Sequence, residues 1–545
     1  MKRPRLRRRS PRLPFIVLLV AAIGAAVWQA RTEDDRGKAA ADAVDADAGL
    51  ASGMPVVADA DALASTWYCA AGTGDAGGMA DHSITVFNPG DRSVGVAVTV
   101  YGGVLASSSP TTAEAAPAPP MAAPPPGARG FVLPGRDRVE LRLGDLVPAP
   151  LVAALVEASG GPVAVEHRVT GPHGVDVGPC ASATAPVWHL ASGATTRDAR
   201  EVVVLFNPFP TDAIVDITFE TDAGSREPVR FQGFPVAAGT VVGVDIGDDV
   251  AREAQVSATL RTRAGRVVAE RLQEFDGSLG PEGLAVALGV PEASTAWAFP
   301  DGMVDDSRTE RIVVYNPGDE RAQVEVQVLP TTDEPAPAPQ PFRLSVRGGT
   351  FAAVDYGAED RVVPGVEHAT LVRSTNGVPV VAERVTTHAG EPAGGDDTAD
   401  EEGGGDDADG GQGGGDDRVR GDVAAGPGAV VAATRWAFPS STRGEEAGLR
   451  FVVFNPDPER SVPVTLLATT NGREDPVDDV AATAVAPRGR IVLAAGVDWA
   501  SWVVEAEAPV VVERVLVGEA GVALGSGVGI PSVDGSVPLG RPRER

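Results

Sequence analysis

Short runs in which apolar and polar residues alternate fill most of the chain from residue 63 to residue 534. Steps of Gly, Pro or Asn separate them. Alternation with a period of two puts one face of an extended segment into a core and the other into solvent, so these runs predict β-strands. Around residues 311–329, RIVVY leads through NPGDE into AQVEVQVL. Proline fixes φ after Asn316 and Gly318 adds freedom, which predicts a hairpin at this point. RLSV and FAAVDYG (343–357) flank Gly348-Gly349, and ATLVRS and PVVAERV (369–385) flank Thr375-Asn376-Gly377, an Asn-Gly step that predicts a tight hairpin. No segment sustains a helical period; PAPLVAALVEASG (148–160) comes nearest, and it aligns with strands elsewhere in the chain.

The strand pattern recurs four times, in order. Each copy has a Trp (Trp67, Trp188, Trp297, Trp436) and a strand ending in Asn-Pro (Asn88, Asn207, Asn316, Asn455). Each then has a strand with an acidic step (Glu166, Glu270, Glu383, Glu513), followed by Arg in three copies and by His167 in the first. Trp and Asn are 21 residues apart in the first copy and 19 in the others. Seven or eight short strands in about 100 residues, with turns at regular intervals, predict antiparallel sandwiches. The expected fold is all-β: four tandem immunoglobulin-like sandwiches (63–184, 185–293, 294–433 and 434–534) in an extended rod, after one N-terminal transmembrane helix. The expected closing strands are VDVGPCA, LAVALGV, AVVAAT and GVALGSG, the third covering 429–434.

The exception to alternation is Leu13–Ala30, eighteen residues without charge. As a helix it spans about 27 Å, enough to cross a hydrocarbon core. Residues 1–12 carry seven basic and no acidic residues, which predicts a cytoplasmic N-terminus and an extracytoplasmic body. A cleaved signal peptide is the alternative; Trp28 and the weak small-residue signal beside it favour an uncleaved anchor. Residues 31–62 are small and acidic and read as a flexible stalk, and 535–545 as a disordered tail.

Composition sharpens this reading. The 545-residue chain has 46 basic and 75 acidic residues, a formal net charge of -29. Such a charge repels nucleic-acid backbones, so nucleic-acid partners are excluded. Copy one is interrupted by a Pro/Ala-rich loop (107–130) and copy three by a Gly/Asp tract (391–428) that has little to bury. The tract lacks the apolar residue that each turn of a calcium-binding β-roll buries, and reads as a solvated insertion.

The family resemblance rests on WAFPDG (297–302), VVYNPGD (313–319) and VVAERV (380–385). These segments resemble a repeat of bacterial envelope and secreted proteins, found in an actinobacterial, single-span membrane family of unknown function. The resemblance implies surface location and an immunoglobulin-like fold, and brings no catalytic residues.

Candidate chemistry is sparse. The two cysteines, Cys69 and Cys180, lie on the first and last strands of copy one, and in an oxidising exterior they predict a disulfide. Adjacent strand residues face opposite sides, so Glu383 and Arg384 are not expected to pair with each other. The same acid–base step in every copy reads as a structural brace, the Trp set as core and the Asn-Pro set as turn chemistry. His167, His173 and His189 could form a metal site only if folding joined them; no metal or cofactor is expected. The resulting expectation is a non-enzymatic envelope scaffold or adhesion protein, bound to the membrane through its N-terminal helix and to an unknown envelope protein or glycan. A carbohydrate-binding protein, with Trp499 and Trp502 as platforms, and an enzyme with an acidic site in copy one are the alternatives.

Overall fold

The alternating runs fold as strands because their apolar face finds a second sheet to cover it. In the computed structural model of the chain, residues 54–75, 77–106, 126–331, 339–388, 422–441, 446–477, 483–496, 500–518 and 523–540 are described. Among them the secondary structure is all-β apart from three single-turn 3-10 segments. No helix among the described residues is long and apolar enough to cross a membrane, and Leu13–Ala30 lies outside them.

Copy three shows the plan most cleanly. One sheet orders its strands Thr350–Asp355, Arg308–Asn316, Val381–His388 and Asp422–Pro427. The other orders them Ala296–Phe299, His368–Ser374, Ala322–Pro330 and Phe342–Val346. The same two pairing orders recur in the other copies, with Asp81–Asn88, Ala199–Asn207 and Glu446–Phe454 replacing Arg308–Asn316. In copy four a single long strand, Ser501–Gly518, serves both sheets.

This order corrects the predicted hairpins. Arg308–Asn316 pairs with the strands at 350–355 and 381–388 and not with Ala322–Pro330, so the Asn-Pro step carries the chain from one sheet to the other. The Gly348-Gly349 and Asn376-Gly377 steps also cross between sheets. Turn chemistry was legible, but the partner of each strand is set by which sheet needs it to bury an apolar face.

The predicted rod is also wrong: the four copies close on themselves. Their last strands, Gly174–Pro179, Glu282–Leu288, Asp422–Pro427 and Ala523–Val528, pack each against the next, and the fourth packs against the first. Residues 51–545 accordingly form one compact unit. The buried core of copies three and four is continuous, and that of copy one takes in Ala437, Leu467, Val503 and Ile530 from copy four.

Several boundaries move as a result. Copy three closes with Asp422–Pro427, inside the expected insertion 391–428, whereas Val431–Phe438 is the tryptophan strand of copy four. The end of the expected stalk is ordered: Val57 donates its N–H to Pro531 O at 2.9 Å and accepts from Val533 N at 3.0 Å. Part of the expected tail is ordered too, since Val537–Pro538 pairs with Val431–Ala432. The Pro/Ala-rich loop ends in strand Gly127–Leu133. Backbone N–H groups next to an apolar core need partners, and ring closure offers them to segments that look solvated in sequence.

Candidate functional site

The repeated residues meet at the four seams between copies. Trp67, Trp188, Trp297 and Trp436 are all buried. Three of their indole N–H groups are tied to their own copy: Trp188 donates to Val267 O (2.9 Å), Trp297 to Val380 O (2.9 Å) and Trp436 to Val510 O (3.0 Å). In these three copies the bond ties the Trp next to the turn that follows it. The backbone N–H four residues after each Trp then points across the seam to the glutamate of the next copy.

The geometry recurs four times. Ala71 N donates to Glu270 Oε2 at 2.7 Å, Ser192 N to Glu383 at 3.1 Å, Asp301 N to Glu513 at 3.0 Å and Ser440 N to Glu166 at 2.9 Å. The last of these joins copy four to copy one and completes the cycle. Each glutamate is 2% exposed or less.

The basic residue that follows a glutamate leaves the strand on the opposite face and reaches the other neighbour. Arg271 lies 3.0 Å from Glu383, Arg384 bonds Glu513, and Arg514 lies 2.8 Å from Glu166. Arg271 and Arg384 also donate to the carbonyls of Ser192 and Asp301, in the same turns that supply the N–H groups. One Glu-Arg step therefore ties three consecutive copies.

The first seam departs from the rule because copy one has His167 where the others have Arg. His167 Nε2 is 3.8 Å from Glu270, and His167 Nδ1 is 3.2 Å from His82 Nε2; His82 Nδ1 donates to Val152 O at 3.0 Å. Burial holds His82 near 4 and His167 well below the usual imidazole range. Burial also raises Glu270 to about 8, against the lowering effect of Ala70 N and Ala71 N. An extra strand pairing reinforces this seam: Gly103–Ala106 of copy one runs parallel to Val241–Val244 of copy two.

Further buried charges lie at the seams without a sequence signal that separates them from solvated residues. At the third seam Asp301 accepts from Arg308 at 2.7 Å and from Arg490 at 3.2 Å, and Arg490 also reaches Glu367 at 2.6 Å. Burial opposes the ionisation of Asp301, but Arg308, Arg384 and Arg490 together hold it ionised. Six residues before each Asn stand His82, Glu201, Glu310 and Leu449. Glu201 is buried and raised to about 8, chiefly by desolvation.

Each predicted turn asparagine is buried and bridges the two sheets. Asn88, Asn207, Asn316 and Asn455 donate to Leu133, Val236, Val346 and Val485 O at 3.1–3.2 Å. Their side-chain oxygens accept from the N–H two residues on, at 2.9–3.1 Å. Cys69 and Cys180 are joined in a disulfide. His167, His173 and His189 are not brought together: His173 contacts Glu282 at 2.9 Å and His189 contacts Thr259 at 3.0 Å. Among the described residues no group of three or more His, Cys, Asp or Glu is arranged to hold a metal ion. Trp502 is buried, its ring 5.8 Å from Phe451, and Trp499 lies outside the described residues.

Residues 158–401 match DUF5719, a family of unknown function. No curated protein matches the chain. Among solved structures, the chain is similar to the Anabaena sensory rhodopsin transducer, at 25% identity over 17% of this chain and 83% of that one, with a TM-score of 0.15. It is also similar to protein 1070 of Thermotoga maritima, at 17% identity over 18% of this chain and 84% of that one, with a TM-score of 0.16.

Proposed function

We propose that this protein is a non-enzymatic scaffold of the cell envelope: a closed set of four immunoglobulin-like sandwiches held outside the membrane by residues 13–30. The observation that carries this reading is the use made of the repeated ionisable residues. Glu166, Glu270, Glu383 and Glu513 are each buried in a seam and bound by a neighbouring copy's backbone, so the residues that look most like acids or bases instead hold the assembly together. Seams of this kind produce a rigid platform rather than a hinged cleft, because removing one partner leaves a buried charge or dipole uncompensated. The strongly acidic chain adds charge repulsion, which favours solubility and selective contacts over nonspecific adhesion.

Labelling of intact cells with a membrane-impermeant amine- or carboxylate-directed reagent, followed by crosslinking and mass spectrometry, tests both halves of the proposal. The scaffold reading expects surface labelling and reproducible crosslinks from the body to another envelope component. Protection from the reagent in intact cells, with labelling only after lysis, would refute the location. Turnover of an envelope substrate by the purified protein, abolished by a substitution at a described acidic residue, would refute the non-enzymatic role.

A further inference from the structure

The first seam shows that one particular sheet edge in this fold accepts a parallel strand. In copy one the strand Val94–Ala106 has 13 residues, whereas its counterparts Ala213–Thr221, Ala322–Pro330 and Val462–Thr470 have nine each. The additional length lies along the edge strand Thr240–Asp245 of copy two, pairing Gly103 with Val241, Val104 with Val242, Leu105 with Gly243 and Ala106 with Val244. The contact is close: a Cβ at Gly103 would come within 1.7 Å of Val241 O.

Copy three carries the equivalent edge, Thr350–Asp355. Tyr315 pairs with Phe351 and Val313 with Ala353, just as Phe206 pairs with Val241 and Val204 with Gly243. Here the preceding copy does not supply a strand. Its chain turns after Thr221, with Ala223 N donating to Thr221 Oγ1, and pairs back on itself through Gly224–Arg226. Among the described residues, Thr350–Asp355 is therefore the terminal strand of its sheet. Val241 and Gly243 are buried under the added strand, whereas Phe351, Ala352 and Ala353 are half-buried.

The edge also carries no blunting side chains of its own, and the end of copy two's strand Ala213–Thr221 touches it without pairing with it. Native edges are blunted by charge, proline or bulges, and copy one's equivalent, Asp137–Arg142, carries Arg138, Glu140 and Arg142. From Thr350 to Val354 there is no charge and no proline. Copy four's equivalent begins at Arg490, which is held by Asp301 and Glu367.

We propose that Thr350–Val354 is a docking edge for an extended segment of a partner polypeptide, added as a parallel strand with a glycine opposite Phe351 and small or medium apolar residues after it. Main-chain hydrogen bonds would provide the affinity, and the glycine requirement the selectivity. The test uses the full-length protein in detergent and a fluorescent peptide with the sequence of residues 98–107, VTVYGGVLAS. Saturable anisotropy is expected, with hydrogen-exchange protection gained at Thr350–Val354. The same peptide with valine in place of the second glycine should bind at least tenfold more weakly. Ala353→Glu, which reproduces copy one's Glu140, and Phe351→Arg, which reproduces Arg138, should each lower affinity at least tenfold with the circular dichroism spectrum unchanged. Absence of binding to the wild-type protein, or equal binding by both folded variants, would overturn the proposal.

Discussion

Replacing Glu270 with Gln should flatten the dependence of stability on pH. Glu270 has two backbone N–H donors at 2.7 and 3.2 Å, and among the described residues its ion-pair partner across the seam is His167 at 3.8 Å, not an arginine. Burial raises its carboxyl to about 8, against the ordinary 4.5. A folded-state value above the unfolded one means that the native protein keeps a proton that the unfolded chain releases. That contribution is complete below about 4.5 and is lost as pH rises through about 8. At ~1.36 kcal/mol per tenfold change in proton affinity, the full loss is about 5 kcal/mol, of which about 2 kcal/mol falls between pH 6 and pH 8. The sign is the same whether the proton rests on Glu270 or on His167, because the pair retains one proton in either case. Burial also raises Glu201 to about 8 and Asp176 to about 7, so the wild-type slope alone would not isolate this site. The difference between wild type and Glu270→Gln does isolate it. Urea denaturation at pH 6, 7 and 8 should show the variant gaining about 2 kcal/mol relative to wild type across that range. An unchanged difference at all three pH values would refute the reasoning.

Three further outcomes follow from the same geometry. Arg384→Met should cost about 3–5 kcal/mol, read as a drop in denaturation midpoint, because it leaves Glu513 buried without its cation; Arg343→Met, which breaks an exposed pair with Glu325, should cost less than about 1 kcal/mol. Asn316→Ala should cost about 2–3 kcal/mol in the same measurement, since Val346 O and Gly318 N both lose a partner. Replacing both Cys69 and Cys180 by Ser removes a crosslink spanning 111 residues and should lower stability by about 2–4 kcal/mol, with reductant then having no further effect on the melting temperature.

Strand content and the four-fold recurrence were legible because both depend on local pattern. Alternation exposes a face, and the Trp, Asn-Pro and Glu-Arg steps keep near-constant spacing. The division of Glu383 and Arg384 between opposite faces was legible for the same reason. Their partners were not: Glu383 meets Ser192 and Arg384 meets Glu513, separated from them by more than one hundred residues. Nothing local distinguishes a brace within a copy from a lock between copies. Likewise, His167 looks like a minor substitution in sequence, and only the tertiary structure places it opposite Glu270, 3.8 Å away across the first seam.

The sequence by itself therefore determined that the chain is built of short, half-buried strands in four copies, with two cysteines placed to bond and a charge-free N-terminal span. Tertiary structure decided which sheet each strand joins, that Asn-Pro crosses between sheets, and that the fourth copy returns to the first. The physical reason is the range of the interactions. Alternation, turn chemistry and propensity act over a few residues, whereas sheet partners and seam charges are selected by burial among segments distant in the chain, and the free energy of closing the ring belongs to no single segment.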